Sequence, residues 1–144
     1  MSDNLFLNDV AIKLRHIADS DYLASRSCYK YGCILQSYWF AQQAIEKYFK
    51  SILLFNQKKF KHLKNGHDLE KLIDLIESID CMVLDFTSDV IEFITKVNNQ
   101  GGNRYRTYYQ ESDEKMLFML DKSVWQIRRY SYYLNSEVHG YKLF

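Results

Sequence analysis

The sequence predicts an all-α protein, an up-and-down bundle of four or five helices, and three observations support that prediction. The chain of 144 residues contains no proline, the residue that breaks helix interiors. Apolar residues recur at spacings of three and four over long stretches, as on one face of a helix. No segment alternates with the period of two that a half-buried strand needs. Because no linker, repeat or low-complexity run divides the chain, we expect residues 1–144 to form a single domain.

The first two helices are expected to be the longest. The first is predicted from about Leu5 to Tyr31 and the second from about Leu35 to Gln57. The second helix has the clearer apolar stripe, which consists of Tyr38, Ala41, Ile45, Tyr48, Ile52 and Phe55. On its polar side we expect Glu46 and Lys50, which are spaced i,i+4 in the favourable order for an ion pair.

The remaining helices are shorter and are separated by turn residues. Asp68 is a plausible N-cap for a third helix, because its carboxylate can accept from the first unpaired amides. A fourth helix is predicted from about Val83 to Asn98, followed by a loop through Asn103. Ser112 is expected to cap the last helix, which would run to about Glu137. Short loops between long amphipathic helices favour antiparallel neighbours.

Composition excludes several classes of protein. The net charge of +1 is far from the strong basicity of proteins that coat DNA. No apolar run approaches the roughly 20 residues of a membrane span. A charged start followed by an apolar stretch does not occur at the N-terminus, so we expect a cytoplasmic protein without membrane association.

The sequence motifs give little support for a metal site or a cofactor site. His62 and His67 are five residues apart across a glycine-containing segment, and the sequence has no HExxH, CxxC or Asp-rich loop. We therefore expect a surface position for His62, a local hydrogen bond for His67, and neither a metal site nor a cofactor.

The segment after the fourth helix is the most suggestive for binding. Arginine forks match phosphate oxygens, and tyrosine rings offer stacking faces to bases. The candidate ligand-binding residues are Asn103, Arg104, Tyr105, Arg106, Tyr108 and Tyr109. Alternatively, these tyrosines pack against the end of the bundle and the arginines pair with acids of the third and fourth helices. Arg128 and Arg129 begin a run of similar composition in the last helix. We expect Tyr130 of that run to pack in the core, so packing accounts for part of this signal.

In three passages of its sequence, the chain resembles the HEPN domain family. The likeness rests on three passages: the first helix from Ile17 to Arg26, the AQQAIEK motif within Tyr38 to Leu54, and His67-Asp68-Leu69 at the start of the third helix. The resemblance implies a bundle of four to five helices that forms a homodimer and binds nucleotides or RNA. It also implies a toxin–antitoxin or defence context, and a minimal nucleotidyltransferase as a possible partner.

Ribonuclease members of that family carry an arginine followed, after four to six residues, by a histidine. Here the corresponding positions hold Tyr109, Gln110 and Glu111 after Arg104, and Glu111, Ser112 and Asp113 after Arg106. A proton-transfer group is therefore missing where that chemistry needs one. Our first hypothesis is a non-catalytic nucleotide- or RNA-binding module. The alternatives are a metal-independent ribonuclease that uses His67 or His62 with one of these arginines, and a purely structural interaction subunit.

Overall fold

A computed structural model describes residues 2–56, 67–79, 84–101 and 114–131 of the chain, with side chains from residue 8 onward. Within these ranges all regular secondary structure is helical, which confirms the predicted all-α class. The helices are α1 (Ser2–Lys30), α2 (Ile34–Phe55), α3 (Leu69–Glu77), α4 (Ser88–Gly101) and α5 (Met116–Arg128).

Helices α1 and α2 form an antiparallel hairpin. The chain reverses at Gly32, whose φ of 82° lies in the left-handed region that favours glycine. Near this turn the Ser25 hydroxyl donates to the Ser37 carbonyl at 2.7 Å, and the Ser37 hydroxyl donates to the Ser25 carbonyl at 2.9 Å. Both serines are fully buried, and their small side chains let the two helices approach closely while satisfying their own polar groups.

Helix α2 lies at the centre of the core. The other four helices all pack against it, so residues on nearly every side of α2 are buried. Every residue of its predicted apolar stripe is buried, as are Phe49, Leu53 and Leu54. A helix surrounded in this way has few solvent-exposed positions, and even its acidic residue Glu46 is buried.

Helix α4 begins and ends later than the sequence predicted. Residues just before it are held by α5: the Gln126 side chain accepts from the Thr87 amide at 3.1 Å, and the Tyr130 hydroxyl accepts from the Asp85 amide at 3.0 Å. In a helix that began at Val83 the Thr87 amide would donate to the Val83 carbonyl, so its bond to Gln126 replaces that helical bond. At the other end the helix continues through Asn98, whose side chain bonds to α3, to Gly101.

Helix α5 also differs from its prediction at its C-terminal end. The helix stops at Arg128 instead of continuing to Glu137, and a turn follows in which the Ser131 amide donates to the Arg128 carbonyl at 2.9 Å. Ser131 is fully buried, and its carbonyl accepts from Arg15 of α1 at 2.7 Å. This tertiary bond competes with continuation of the helix. The predicted cap, Ser112, lies outside the described residues.

The four long helices alternate in direction. Helices α4 and α5 are antiparallel, because Thr87 just before α4 bonds to Gln126 whereas Asp89, further along, bonds to Lys122. Helix α3 packs on α2 and α4. This is the up-and-down arrangement that short connections favour. In the part of the chain that the structure describes, no helix combines the length and apolarity required to cross a membrane.

Candidate functional site

The candidate ligand-binding residues of the sequence analysis lie in the segment that joins α4 to α5. All six of them, Asn103, Arg104, Tyr105, Arg106, Tyr108 and Tyr109, fall outside the described residues, as does His62. The structure therefore neither supports nor contradicts their assignment. It does describe His67 and the ends of the two helices between which the segment lies.

His67 lies against α2, where it takes part in what we call the His67 cluster: Gln42, Glu46, Lys50 and His67. Its Nδ1 is 2.7 Å from Oε1 of Glu46, and its backbone carbonyl accepts from the Gln42 side chain at 2.9 Å. Lys50 Nζ is 3.6 Å from the other oxygen of Glu46. A hydrogen bond of His67 is thus observed as predicted, but it is not local, since its partners Glu46 and Gln42 in the AQQAIEK motif lie 21 and 25 residues earlier in the chain.

Burial differs sharply between the two halves of this cluster. The Glu46 side chain is only 5% exposed, whereas the His67 side chain is 75% exposed. A buried carboxylate needs partners to offset its loss of hydration, and Glu46 has two, the imidazole of His67 and the ammonium of Lys50 on its own helix. The expectation that Glu46 lies on the polar side of α2 is therefore wrong, because its side chain is buried and His67, just before α3, lies against it.

Asp68, the next residue, caps α3 as predicted. Its carboxylate accepts from the Glu70 amide at 3.0 Å and from the Asn98 side chain of α4 at 3.0 Å. The hydrogen bond from Asn98, together with those from the first-turn amides, holds the pKa of Asp68 below its ordinary value. Asn98 also accepts from the Leu69 amide at 3.0 Å, so the last turn of α4 is joined to the first turn of α3.

The sequence analysis missed Gln42, Glu46 and Asn98 as partners of the His67-Asp68 turn. A signal was available for two of them, since Gln42 and Glu46 are four residues apart and share one face of α2. Asn98 gave no such signal, because its contact joins residues 30 positions apart in the chain.

The arginines at the end of α5 are engaged within the bundle. Arg128 makes two bonds to the carboxylate of Asp19, from Nε at 2.8 Å and from Nη2 at 2.9 Å, and Tyr48 also donates to Asp19. Arg129 donates to the Asp85 carbonyl at 3.0 Å. Packing and pairing therefore account for both arginines of the run whose composition resembles the candidate segment. The acid that pairs with Arg128 belongs to α1.

A groove of about 500 Å³ lies between α4 and the start of α5. Its lining combines both signs of charge with apolar side chains: Asp89, Glu92, Phe93, Lys96, Lys115, Phe118 and Met119. The Asp89 carboxylate accepts from Lys122 at 2.5 Å, and this bond lowers the pKa of Asp89 to about 2. No cluster of three or more histidine, cysteine, aspartate or glutamate side chains suited to a metal ion occurs among the described residues.

The helical bundle and the AQQAIEK–His67–Asp68 junction define a class of small helical domains. The sequence model of the HEPN domain matches residues 11–126, which include most of α1, all of α2 to α4 and most of α5. The chain therefore belongs to the HEPN domain family. Searches of curated proteins and of solved structures gave no match. Membership of this family supports a nucleotide- or RNA-related module in general terms.

Proposed function

We propose that this protein is a non-catalytic module that binds a nucleotide or an RNA segment through residues 103–109. Its HEPN family membership is the observation on which the proposal depends. The residue types of the segment add support, since two arginines can pair with phosphate oxygens and tyrosines can stack on bases. The binding residues would be Asn103, Arg104, Tyr105, Arg106, Tyr108 and Tyr109.

Chain connectivity is consistent with this proposal. Arg104 is three residues beyond Gly101, the last residue of α4, so covalent geometry limits the separation of their Cα atoms to about 11 Å. Asn98, in the last turn of α4, bonds to Asp68. The described end of the bundle to which this segment is joined therefore includes the junction between Asn98 and Asp68.

The proposal includes a homodimer and a protein partner. HEPN domains are often dimeric and related to RNA. We infer that two copies of this chain associate, and that a minimal nucleotidyltransferase in a toxin–antitoxin or defence system is a partner suited to a nucleotide-binding module. A single compact domain of residues 1–144 in the cytoplasm is part of the same proposal.

The binding proposal predicts that Arg104→Ala weakens the affinity for ATP or for a short single-stranded RNA about tenfold or more. The physical reason is the loss of a charge-assisted contact to a phosphate oxygen. Fluorescence titration at low salt measures the affinity, and Lys13→Ala is the matched control, since Lys13 is an exposed cation paired with Asp9 on α1. Failure of the wild-type protein to bind any nucleotide or RNA at low salt would contradict the proposal.

One observation favours the ribonuclease alternative. Glu46 holds Nδ1 of His67, an arrangement that fixes the ring and leaves Nε2 of an exposed imidazole for proton transfer. If the protein is a metal-independent ribonuclease, it cleaves RNA in the presence of EDTA, and His67→Ala abolishes the cleavage. His16→Ala, which removes another exposed histidine, is then without effect. RNA that stays intact with the wild-type protein eliminates this alternative.

A further inference from the structure

Two of the three cysteines of the chain lie on either side of the turn between α1 and α2. Cys28 is in the last turn of α1, and Cys33 directly precedes α2. Both thiols are free, and neither takes part in the function proposed above. The third cysteine, Cys81, lies outside the described residues. Two thiols separated by one turn can react with each other only if the turn brings their sulfur atoms together.

The turn has the hydrogen-bond pattern of a Schellman motif. The Cys33 amide donates to the Cys28 carbonyl at 2.8 Å, and the Gly32 amide donates to the Tyr29 carbonyl at 3.1 Å. Gly32 has the left-handed φ, 82°, that this motif needs at the residue after the helix. The side chains of the two residues that make the outer hydrogen bond of the motif frequently contact each other. In this turn those two residues are the cysteines.

The outer hydrogen bond also limits the distance between the two cysteines. A carbonyl oxygen is about 2.4 Å from the Cα atom of its own residue, and an amide nitrogen is about 1.5 Å from its Cα atom. With a hydrogen bond of 2.8 Å between them, the Cα atoms of Cys28 and Cys33 are at most about 6.7 Å apart. The Cα atoms of disulfide-bonded cysteines are usually about 4.4–6.8 Å apart. The folded backbone therefore meets the distance requirement of a disulfide.

The two thiols differ in their surroundings. Cys33 is exposed, whereas Cys28 is half-buried. Burial, and to a smaller extent the negative charge of a Cys33 thiolate, raises the pKa of Cys28. The effect of that charge agrees with the proximity of the two sulfur atoms. Because the thiolate is the nucleophilic form, burial makes Cys28 the slower of the two thiols toward a reagent from solvent.

The turn is open to a reagent larger than water. Tyr31 is 79% exposed, and a Cβ atom added to Gly32 would meet no atom of the described residues within 4 Å. The Cys33 side chain makes no capping hydrogen bond to the described first turn of α2. A small disulfide-containing molecule can therefore approach the sulfur of Cys33.

We propose that Cys28 and Cys33 form a redox-active dithiol that is converted to a disulfide by exchange with a low-molecular-weight disulfide. The Cys33 thiolate attacks one sulfur of the small molecule, so that a mixed disulfide forms and one small thiolate leaves. The Cys28 thiol then loses its proton and attacks the sulfur of Cys33, and the second small thiolate leaves. The protein gives up two electrons and two protons, and the small disulfide is reduced to two thiols.

The short loop favours a reversible modification over a permanent cross-link. The disulfide closes a loop of six residues, and cross-linking a short loop restricts the unfolded chain less than cross-linking a long one. In a compartment that contains reduced glutathione, such a disulfide persists only while oxidised small disulfides are abundant. This modification does not depend on the binding of a nucleotide or RNA, so its test is independent of the proposed function.

Incubation of the full chain with oxidised glutathione tests the proposal. A Cys81→Ser variant keeps only the two thiols of the turn. After acid quenching and alkylation, mass spectrometry should show single chains that lack two hydrogens and carry no glutathionyl group. Trypsin cleaves after Lys30, so the disulfide should join the peptides 27–30 and 31–47. A persistent mixed disulfide, a disulfide between two chains, or two unmodified thiols in excess oxidised glutathione would overturn the proposal.

Two further variants test the order of attack. Cys28→Ser/Cys81→Ser should stop at the mixed disulfide between Cys33 and glutathione, because no second thiol is present to displace it. Cys33→Ser/Cys81→Ser should react with oxidised glutathione about tenfold more slowly, because only the half-buried Cys28 remains. Equal rates for these two variants would show that Cys33 is not the attacking thiol, and the proposed sequence of steps would be wrong.

A comparison of folded and unfolded chains tests whether the fold positions the two thiols. The equilibrium constant for disulfide formation with glutathione is measured for Cys81→Ser in buffer and in concentrated urea, and circular dichroism checks the state of the chain. The same six residues form the loop in both conditions, so a difference reports the contribution of the folded turn. We expect a constant at least about tenfold larger for the folded chain. An equal or larger constant in urea would mean that the turn holds the thiols apart, and the proposal would fail.

Discussion

Asp19 shows how one side chain joins three helices. Its carboxylate on α1 accepts from the Tyr48 hydroxyl on α2 and from two nitrogens of Arg128 at the end of α5. Partial burial raises the pKa of Asp19, but the hydrogen bonds from Arg128 and Tyr48 outweigh burial and hold it below its ordinary value. Burial and the same hydrogen bond raise the pKa of Tyr48. Both groups therefore stay in the protonation states that favour this contact at neutral pH.

Asp19→Asn should lower the free energy of unfolding at pH 7 by about 2 kcal/mol, the scale of hydrogen bonds to charged groups. Because the folded pKa of Asp19 is below its unfolded value near 4, this stabilisation is present above pH 4 and is lost as the pH falls through the folded pKa. Urea denaturation at several pH values measures it. The difference between wild type and variant should shrink below about pH 4.

Asp9→Asn is the matched control for that experiment. Asp9 forms an i,i+4 pair with Lys13 in which both side chains are more than 60% exposed, so its replacement should change stability by less than about 0.5 kcal/mol. A difference between wild type and Asp19→Asn that stays constant from pH 7 to pH 3 would contradict the assigned role of the carboxylate.

At the scale of the element, α3 depends on contacts at its first turn. The helix has only nine residues, a length that is marginal without tertiary support. Asp68 supplies its N-cap, Asn98 supplies a partner for the Leu69 amide, and Gln42 holds the carbonyl of His67. The two motifs that carry the family likeness, one in α2 and one at the start of α3, are thus in direct contact.

Replacing the cap tests this dependence. Asp68→Ala should destabilise the protein by about 1–2 kcal/mol, since it removes the cap and leaves Asn98 without its acceptor. Asp68→Asn should restore most of the loss, because asparagine caps helices about as well as aspartate. Asp74→Ala, at an exposed position of the same helix, is the control and should be nearly neutral. Thermal unfolding measures all three, and equal melting temperatures for Asp68→Ala and Asp74→Ala would refute the capping role.

The elements also show why helix boundaries are harder to predict than helices. The spacing of Val90, Ile94 and Val97 was sufficient to predict α4, and all three side chains are buried. Its first residue was predicted about five positions too early because Gln126 of α5 accepts from the Thr87 amide, which a helix that began at Val83 would use for its own hydrogen bond. The early end of α5 has a similar cause in the contact between Arg15 and Ser131. Local patterns contain no information about such partners.

For the whole molecule, the fold was predictable and the arrangement of polar groups was not. The apolar stripes and the absence of proline were sufficient for the all-α bundle, since they depend on local periodicity. Glu46 is buried beside His67, which is 21 positions further along the chain, and the pairing of Arg128 with Asp19 joins residues 109 positions apart. The binding role of Arg104 and its neighbours stays a prediction that titration must test.

Contacts between the helices join residues at very different separations along the chain, and we expect the contacts between nearer residues to form first. The serine pair of the α1–α2 hairpin joins residues 12 positions apart, whereas Arg15 and Ser131 are 116 positions apart. Closing the longer loop costs about 2 kcal/mol more in chain entropy. We therefore expect the hairpin to form in the transition state, while α5 docks afterwards and is the first helix to detach when the native protein opens.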